Sequence, residues 1–199
     1  MPNDVRSLTN DHENEIAKIL SRTFGFSVTP ELDGKRLNKS YGLIGLEQHL
    51  ARFPGDNMAI HFDTKEEIDK FWADGMAPGL GAWGYFVEPG EQLTERDKMR
   101  EKYYIAAQTF LVPDYNQRVA EYRDFFKFRK MLVVNPQNGK ALVVVIGDSG
   151  PAEWTGKHLG GSPEVMSYLE REDGAKRRPV LYFFVDDPND TIPLGPITP

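Results

Sequence analysis

An aspartate at the end of an apolar stretch is the strongest chemical signal in the sequence. Asp148 follows the valine-rich residues 142–146, whose composition indicates a strand buried on both faces. Gly147 before it and Gly150-Pro151 after it allow the backbone to turn sharply. A carboxyl group beside an apolar wall loses solvation, which raises its pKa and lets it donate a proton. An aspartate at a turn can equally bond nearby backbone amides, so both roles stay open.

The loop after Asp148 carries further side chains that could take part in a site. Trp154 offers an aromatic face on which a sugar ring could stack, or it could cover the core. His158 titrates near neutral pH and could exchange a proton, or it could be an ordinary surface group. We assign His158 to proton transfer, and Glu153, Trp154 and Lys157 to substrate binding.

The elements that position these residues are mostly strands. Four β-type stretches follow one another at 103–112, 127–135, 140–148 and 179–187. Asn138-Gly139 between the second and third is typical of a hairpin turn. One helix interrupts the series, because Ser162-Pro163 supplies a cap and a proline at the first helical position. The basic residues Lys176-Arg177-Arg178 predict a solvated turn.

The N-terminal part reads as mainly helical. Apolar spacing predicts a first helix after the cap Asn10, ending at Gly25, and a short second helix at 43–50. A third begins at Asp63, which has a glutamate three positions later, and ends at Gly75. Further on we expect a short strand at 82–87 and a loop or solvated helical turn at 92–102.

Composition limits the classes of partner. The 199 residues carry 24 basic and 30 acidic side chains, a net charge of −6, which argues against binding nucleic acid. No apolar stretch is long enough to span a bilayer, and the opening residues lack the pattern of a secretion signal. There is no cysteine, so no disulfide or thiolate site is expected. We expect a monomer.

The ordered motifs across residues 76–187 resemble those of the rare lipoprotein A family and its expansin and endoglucanase relatives. In that family a turn leads into a valine-rich strand ending in Asp-x-Gly-Pro, followed by a glycine with a basic residue and a short helix. The matching residues here are Asn138-Gly139-Lys140, 143–146, Asp148-Ser149-Gly150-Pro151, Gly156-Lys157 and Ser162-Pro163. Earlier matches are Ala82-Trp83-Gly84-Tyr85 and Ala106-Ala107-Gln108-Thr109.

The resemblance implies an α+β fold with a six-stranded double-psi β-barrel. The barrel would occupy 76–199, with a proline-rich C-terminal tail, and a mainly helical region at 1–75 would pack against it. It also implies action on a cell-wall glycan, either peptidoglycan or another polysaccharide, in the cell envelope or outside the cell. Asp148 would then be the general acid and base of a lytic transglycosylase or glycoside hydrolase, and no cofactor is implied.

Two positions depart from the family pattern. Gln108 stands where lytic members have a histidine, and glutamine can bond a sugar but cannot exchange a proton near neutral pH. Gly160 stands where the family has an aspartate, so one carboxylate is missing. We assign Gln108 and Asp114 to substrate binding, and the candidates for a replacement carboxylate are Asp114, Glu153 and Glu164.

These departures leave two functions open. A glycan-cleaving enzyme needs the acid at position 148. A non-catalytic glycan- or protein-binding module needs only a binding groove on the barrel. For metals, the histidines at 12, 49, 61 and 158 lie far apart in the chain and form no recognised ligand spacing. The sequence therefore predicts no metal site.

Overall fold

The computed structural model describes residues 5–77, 80–171 and 178–199 of the chain. The α-helices are α1 (Asn10–Phe24), α2 (Met58–His61), α3 (Lys65–Phe71), α4 (Glu95–Lys102), α5 (Val119–Phe126) and α6 (Pro163–Leu169). The strands are β1 (Val28–Thr29), β2 (Tyr41–Leu46), β3 (Tyr104–Ala107), β4 (Lys130–Val134), β5 (Ala141–Ser149), β6 (Leu159–Gly161), β7 (Arg178–Val185) and β8 (Gly195–Ile197). Lys176 and Arg177 of the expected basic turn lie outside the described residues.

Six of the strands close into a mixed barrel. Their order is β7-β2-β6-β3-β5-β4, and β4 pairs back onto β7. Two pairs are parallel, β2 with β6 and β3 with β5, and the other pairs of the ring are antiparallel. β1 extends the sheet beside β7, and β8 pairs with β5. The α+β class and the closed six-stranded barrel predicted from the sequence are confirmed.

The barrel interior is filled by aliphatic side chains from every second position of its strands. Ile105, Val133, Leu142, Val144 and Ile146 are fully buried in one apolar cluster. Each such side chain contributes about 1.5–3 kcal/mol relative to leaving it in water. A second cluster lies outside the barrel wall, between Leu20 of α1 and strand residues such as Val143 and Phe183. Residues of α1, β5 and β7 therefore belong to one apolar cluster.

The β-rich stretches of the second half form the strands expected of them. They become β3, β4, β5 and β7, and α6 begins after its cap Ser162, whose hydroxyl accepts the amide of Val165. The region 92–102 also forms a helix, α4. The first and third N-terminal helices exist as well, although their caps are Thr9 and Thr64 rather than Asn10 and Asp63.

Two local predictions were wrong. Residues 43–50 do not form a helix, because 41–46 are barrel strand β2. Its sequence YGLIGL suits close packing: a Cβ at Gly42 would lie 2.7 Å from the Cβ of His158. Residues 82–87 do not form a strand: 82 and 83 form a turn enclosed by the isolated bridge between Gly81 and Gly84. One barrel strand thus comes from before residue 76, and the division at 1–75 and 76–199 stays a prediction.

The chain between β2 and β3, residues 47–103, covers part of the outer barrel wall. Leu50 and Phe86 of this segment form an apolar cluster with Tyr104 of β3 and Val145 of β5. The indole N–H of Trp83 donates to the carbonyl of Ile146 at 3.1 Å. This covering segment meets the barrel beside Asp148. Among the described residues, no helix combines the length and apolar character needed to cross a bilayer.

Candidate functional site

Asp148 lies at a β-bulge near the end of β5. The parallel pairing with β3 runs from Ile105–Ile146 to Ala106–Asp148, so Gly147 is the extra residue on β5. A Cβ at position 147 would lie 2.6 Å from the Cβ of Tyr104, which only glycine avoids. A bulge redirects the residue that follows it. It places Asp148 at the junction of barrel and covering segment.

The two oxygens of the Asp148 carboxylate have different surroundings. Oδ1 accepts the backbone N–H of Ala82 at 2.6 Å and that of Ser149 at 2.8 Å. Oδ2 has no hydrogen-bond partner among the described residues. Burial raises the pKa of Asp148, and the two amides offset only part of that rise. The group is therefore a fixed carboxyl with one oxygen able to exchange a proton.

Glu47 is a second carboxylate on the same wall, and the sequence did not reveal it. It follows β2, and its side chain fills the space above Gly160, where a Cβ would overlap with Cγ, Cδ and Oε1 of Glu47. Gly160 pairs with Ala106, which in turn pairs with Asp148. Paired residues of neighbouring strands face the same side, and two strand spacings are about 10 Å. Glu47 therefore lies where an aspartate at 160 would otherwise project.

Lys157 and Gln108 organise the loop between β5 and β6. The Lys157 ammonium donates to the Leu46 carbonyl at 2.6 Å and lies 3.4 Å from Oε1 of Glu47. The Gln108 amide donates to the carbonyls of Pro151 at 3.0 Å and Lys157 at 3.2 Å, and Gln108 is only 4% exposed. Gln108 thus fixes both ends of this loop, and Lys157 lies beside Glu47.

His158 is hydrogen-bonded to the backbone of β2. Its Nδ1 accepts the backbone N–H of Leu43 at 2.9 Å, so the ring proton of the neutral form resides on Nε2. Burial lowers the pKa of His158, and the charge of Lys39 lowers it further. No contact between His158 and Asp148 is found within the described ranges.

The other residues assigned from the sequence lie on the surface. Trp154 is 88% exposed in a one-turn 3-10 helix (Glu153–Thr155), and Glu153 beside it is also exposed. Asp114 is exposed and accepts from the Tyr122 hydroxyl at 2.9 Å and from Arg118 at 3.2 Å. The structure brings none of the three into contact with Asp148, and their roles in binding stay predictions.

A buried polar cluster lies within the covering segment, joined by one residue of α6, and consists of His49, Arg52, Asp56, His61, Glu101 and Glu164. His61 Nδ1 is 2.8 Å from Asp56 Oδ2, and its Nε2 is 3.1 Å from Glu101 Oε2. Burial alone would lower the pKa of His61, but these carboxylates raise it to about 9. His49 Nε2 is 3.1 Å from Glu164 Oε1. The two imidazole centroids are 5.1 Å apart, although His49 and His61 are twelve positions apart in the chain.

Tyr104 separates the buried polar cluster from the Asp148 region. Its hydroxyl donates to the backbone carbonyl of Gln48, the residue between Glu47 and His49. Burial raises the pKa of Tyr104 strongly, and the charges of four carboxylates raise it further: Glu47, Glu101, Asp148 and Glu164. Tyr104 is therefore a buried phenol whose pKa is affected by carboxylates of both the polar cluster and the Asp148 region.

Comparisons with protein-family models, with curated proteins and with solved structures found no match to this chain.

Proposed function

We propose that the protein acts on a cell-wall glycan, with Asp148 as the general acid and base, on a double-psi barrel similar to that of the rare lipoprotein A family. The observation that carries the proposal is the carboxyl group at the bulged end of β5. Its pKa is raised by burial, one oxygen is fixed by two amides, and the other oxygen has no partner among the described residues.

The second support for the proposal is the barrel. A closed ring of six strands with two parallel pairs is compatible with the double-psi topology. The aspartate of the Asp-Ser-Gly-Pro motif lies at the end of a barrel strand, beside a surface loop that carries Trp154. The double-psi topology itself remains part of the proposal.

In this mechanism Asp148 transfers its proton from Oδ2 to the glycosidic oxygen as the bond from that oxygen to the anomeric carbon breaks. In a lytic transglycosylase a hydroxyl of the same sugar then attacks the anomeric carbon, and Asp148 accepts its proton. In a hydrolase a water attacks instead, and Glu47, on the same wall, is the carboxylate that we propose to accept the water proton. Inverting hydrolases have carboxylates about 6.5–9.5 Å apart. Two strand spacings, roughly 10 Å, come close to the upper end of that range.

The second candidate is a non-catalytic glycan-binding module. It is favoured by the contacts of Asp148 Oδ1, which join β5 to the covering segment through Ala82. It is also favoured by Gln108, whose amide bonds two backbone carbonyls. In such a module Asp148 would stabilise the groove, and the exposed Trp154 would stack on the sugar.

The two candidates are distinguished by incubating purified peptidoglycan with wild-type protein and with the Asp148→Asn variant. Asparagine keeps an oxygen that accepts from Ala82 and Ser149 but carries no exchangeable acid proton. The matched control is Asp186→Asn, since Asp186 is exposed at the end of β7.

Products are identified by mass spectrometry. Anhydro-sugar or reducing-end fragments from wild type and Asp186→Asn, but not from Asp148→Asn, support the enzyme. An absence of fragments from all three, together with sedimentation of all three on the glycan, supports the binding module. Equal cleavage by Asp148→Asn excludes Asp148 as the acid.

A further inference from the structure

Three side chains of the buried polar cluster have the proximity that a metal ion requires. Potential ligand atoms of His49, His61 and Glu101 all lie within 4.8 Å of one another, and all three residues are buried. In a tetrahedral zinc site with bonds of 2.0–2.1 Å, neighbouring ligand atoms are about 3.3 Å apart. The distance of 3.1 Å between His61 Nε2 and Glu101 Oε2 is close to that value.

A buried nitrogen without a partner points to a missing ligand. His49 Nε2 contacts Glu164, but His49 Nδ1 is buried and has no hydrogen-bond partner. Oδ1 of Asp56 and Oε2 of Glu164 are in the same condition. Leaving a buried polar atom unpaired costs about 1–3 kcal/mol, so native structures rarely contain several of them together. A cation bound at His49 Nδ1 would use that lone pair.

Each histidine is also oriented by a carboxylate on its other nitrogen. Asp56 contacts Nδ1 of His61, which directs Nε2 towards Glu101, and Glu164 contacts Nε2 of His49. Histidines that bind metals usually donate their second ring N–H to a carboxylate or carbonyl in this way. The outer contacts of a His-His-Glu site are therefore present.

The cluster contains more carboxylates than guanidinium groups. Three carboxylates, those of Asp56, Glu101 and Glu164, lie together with one guanidinium, that of Arg52, and the two imidazoles. Arg52 lies on Glu101, with Nη2 at 3.2 Å from Oε2, and it also lies 3.8 Å from Asp63 at the edge of the cluster. Asp63 is paired separately with Lys98 and Lys102. The carboxylates thus outnumber the guanidinium in this interior cluster, and an excess of acidic groups favours the binding of a cation.

We propose that His49 Nδ1, His61 Nε2 and the Glu101 carboxylate bind a divalent transition metal ion of the zinc class. Imidazole nitrogen with one carboxylate is a donor set that zinc accepts, and a fourth position remains for water or a further oxygen. Glu164 and Asp56 act as positioning residues for the two imidazoles. This inference does not depend on the proposed action on glycans.

The test uses the full chain after treatment with a chelator, titrated with Zn²⁺ by calorimetry and with Co²⁺ by visible absorption. We expect binding of one ion per chain, a rise in Tm with Zn²⁺, and a Co²⁺ spectrum of the intense tetrahedral type. His49→Ala should weaken Zn²⁺ binding about 100-fold or more, and Glu164→Gln about 10-fold. The control His12→Ala, at an exposed histidine, should leave the affinity unchanged.

Three results would overturn the proposal: the absence of stoichiometric Zn²⁺ binding by wild type, equal Zn²⁺ affinity of wild type and folded His49→Ala, or loss of Zn²⁺ binding in His12→Ala. Circular dichroism establishes whether His49→Ala folds. If it does not, the wild-type Co²⁺ spectrum decides, because the weak absorption of six-coordinate cobalt excludes the three-residue site.

Discussion

Asp148 accepts structural hydrogen bonds and also carries an acidic proton, and substitution by asparagine or by alanine separates these two properties. Its Oδ1 accepts two amides, and those bonds need an oxygen but no negative charge. Its acid function needs the proton. Asparagine preserves the first property alone, whereas alanine removes both.

Asp148→Ala should have a free energy of unfolding about 1–2 kcal/mol lower than that of Asp148→Asn, because the two partly buried amides of Ala82 and Ser149 lose their acceptor. Urea unfolding at neutral pH measures the difference. Equal stability of the two variants would mean that the bonds to Ala82 and Ser149 do not stabilise the fold.

The raised pKa of Asp148 predicts a pH dependence with a definite sign. The folded protein holds this proton more tightly than the unfolded chain, whose aspartates titrate near about 3.9. Stability contributed by the protonated form is therefore lost as pH rises from that value through the folded pKa. Wild type should lose stability relative to Asp148→Asn over this interval, measured by urea unfolding between about pH 3.5 and pH 8. Asp186→Asn supplies the baseline, and parallel curves for wild type and Asp148→Asn would contradict the prediction.

At the scale of elements, the pairing of β2 with β6 leaves room for one carboxylate on this part of the barrel wall. Gly160 on β6 has no side chain, and Glu47 after β2 fills the space above it. A carboxylate from either strand can therefore occupy the same part of the wall, but not both at once.

If the protein hydrolyses glycan, Glu47→Ala should lower the rate about 100-fold or more, the range for loss of a general base. The double variant Glu47→Ala, Gly160→Asp should recover part of it, because alanine at 47 vacates the space into which aspartate at 160 projects. Gly160→Asp alone should be destabilised by overlap with Glu47. The measurements are initial rates of fragment release and Tm, and a double variant no more active than Glu47→Ala would contradict the shared position.

The elements also show how far the sequence could lead. The sequences of β4, β5 and β7 predicted strands because both faces of these strands are largely buried, which gives continuous apolar stretches. In β2 the glycines interrupt the apolar stretch, and Leu43, Leu46 and Leu50 have the spacing of a helix. The sequence therefore predicted a helix where the strand lies. Glu47 and Gly160 meet only through the β2–β6 pairing, and His49 meets His61 only through the folding of the covering segment. No local sequence pattern indicates either of these contacts. The fold class could therefore be predicted from the sequence, whereas the Glu47–Gly160 and His49–His61 contacts could not.

At the scale of the whole molecule, one buried ion pair fastens the C-terminal segment to the barrel. Asp187, after β7, accepts Lys130 of β4 at 2.6 Å and the backbone amides of Thr191 and Ile192 at 2.9 Å. Burial would raise the pKa of Asp187, but the ammonium and the amides lower it well below its usual range.

Asp187→Asn should cost about 1–3 kcal/mol at neutral pH, because Lys130 loses one of its two carboxylate partners while Asp190, 2.6 Å from its Nζ, remains. The depressed pKa means that this stability is present above the unfolded value near 3.9 and is lost as pH falls below it. Wild type and variant should therefore converge in acid. The neighbouring Asp186→Asn is the matched control, and a constant difference across pH would contradict the assignment.

The barrel closes through β7, which pairs with β2 on one side and β4 on the other. During synthesis on the ribosome both partners emerge long before β7, which lies at Arg178–Val185. Until then the edges of β2 and β4 have exposed backbone groups, the condition under which strands of different chains pair and aggregate. We therefore expect those two edges to pair with strands of other chains most readily during the interval before β7 has been translated.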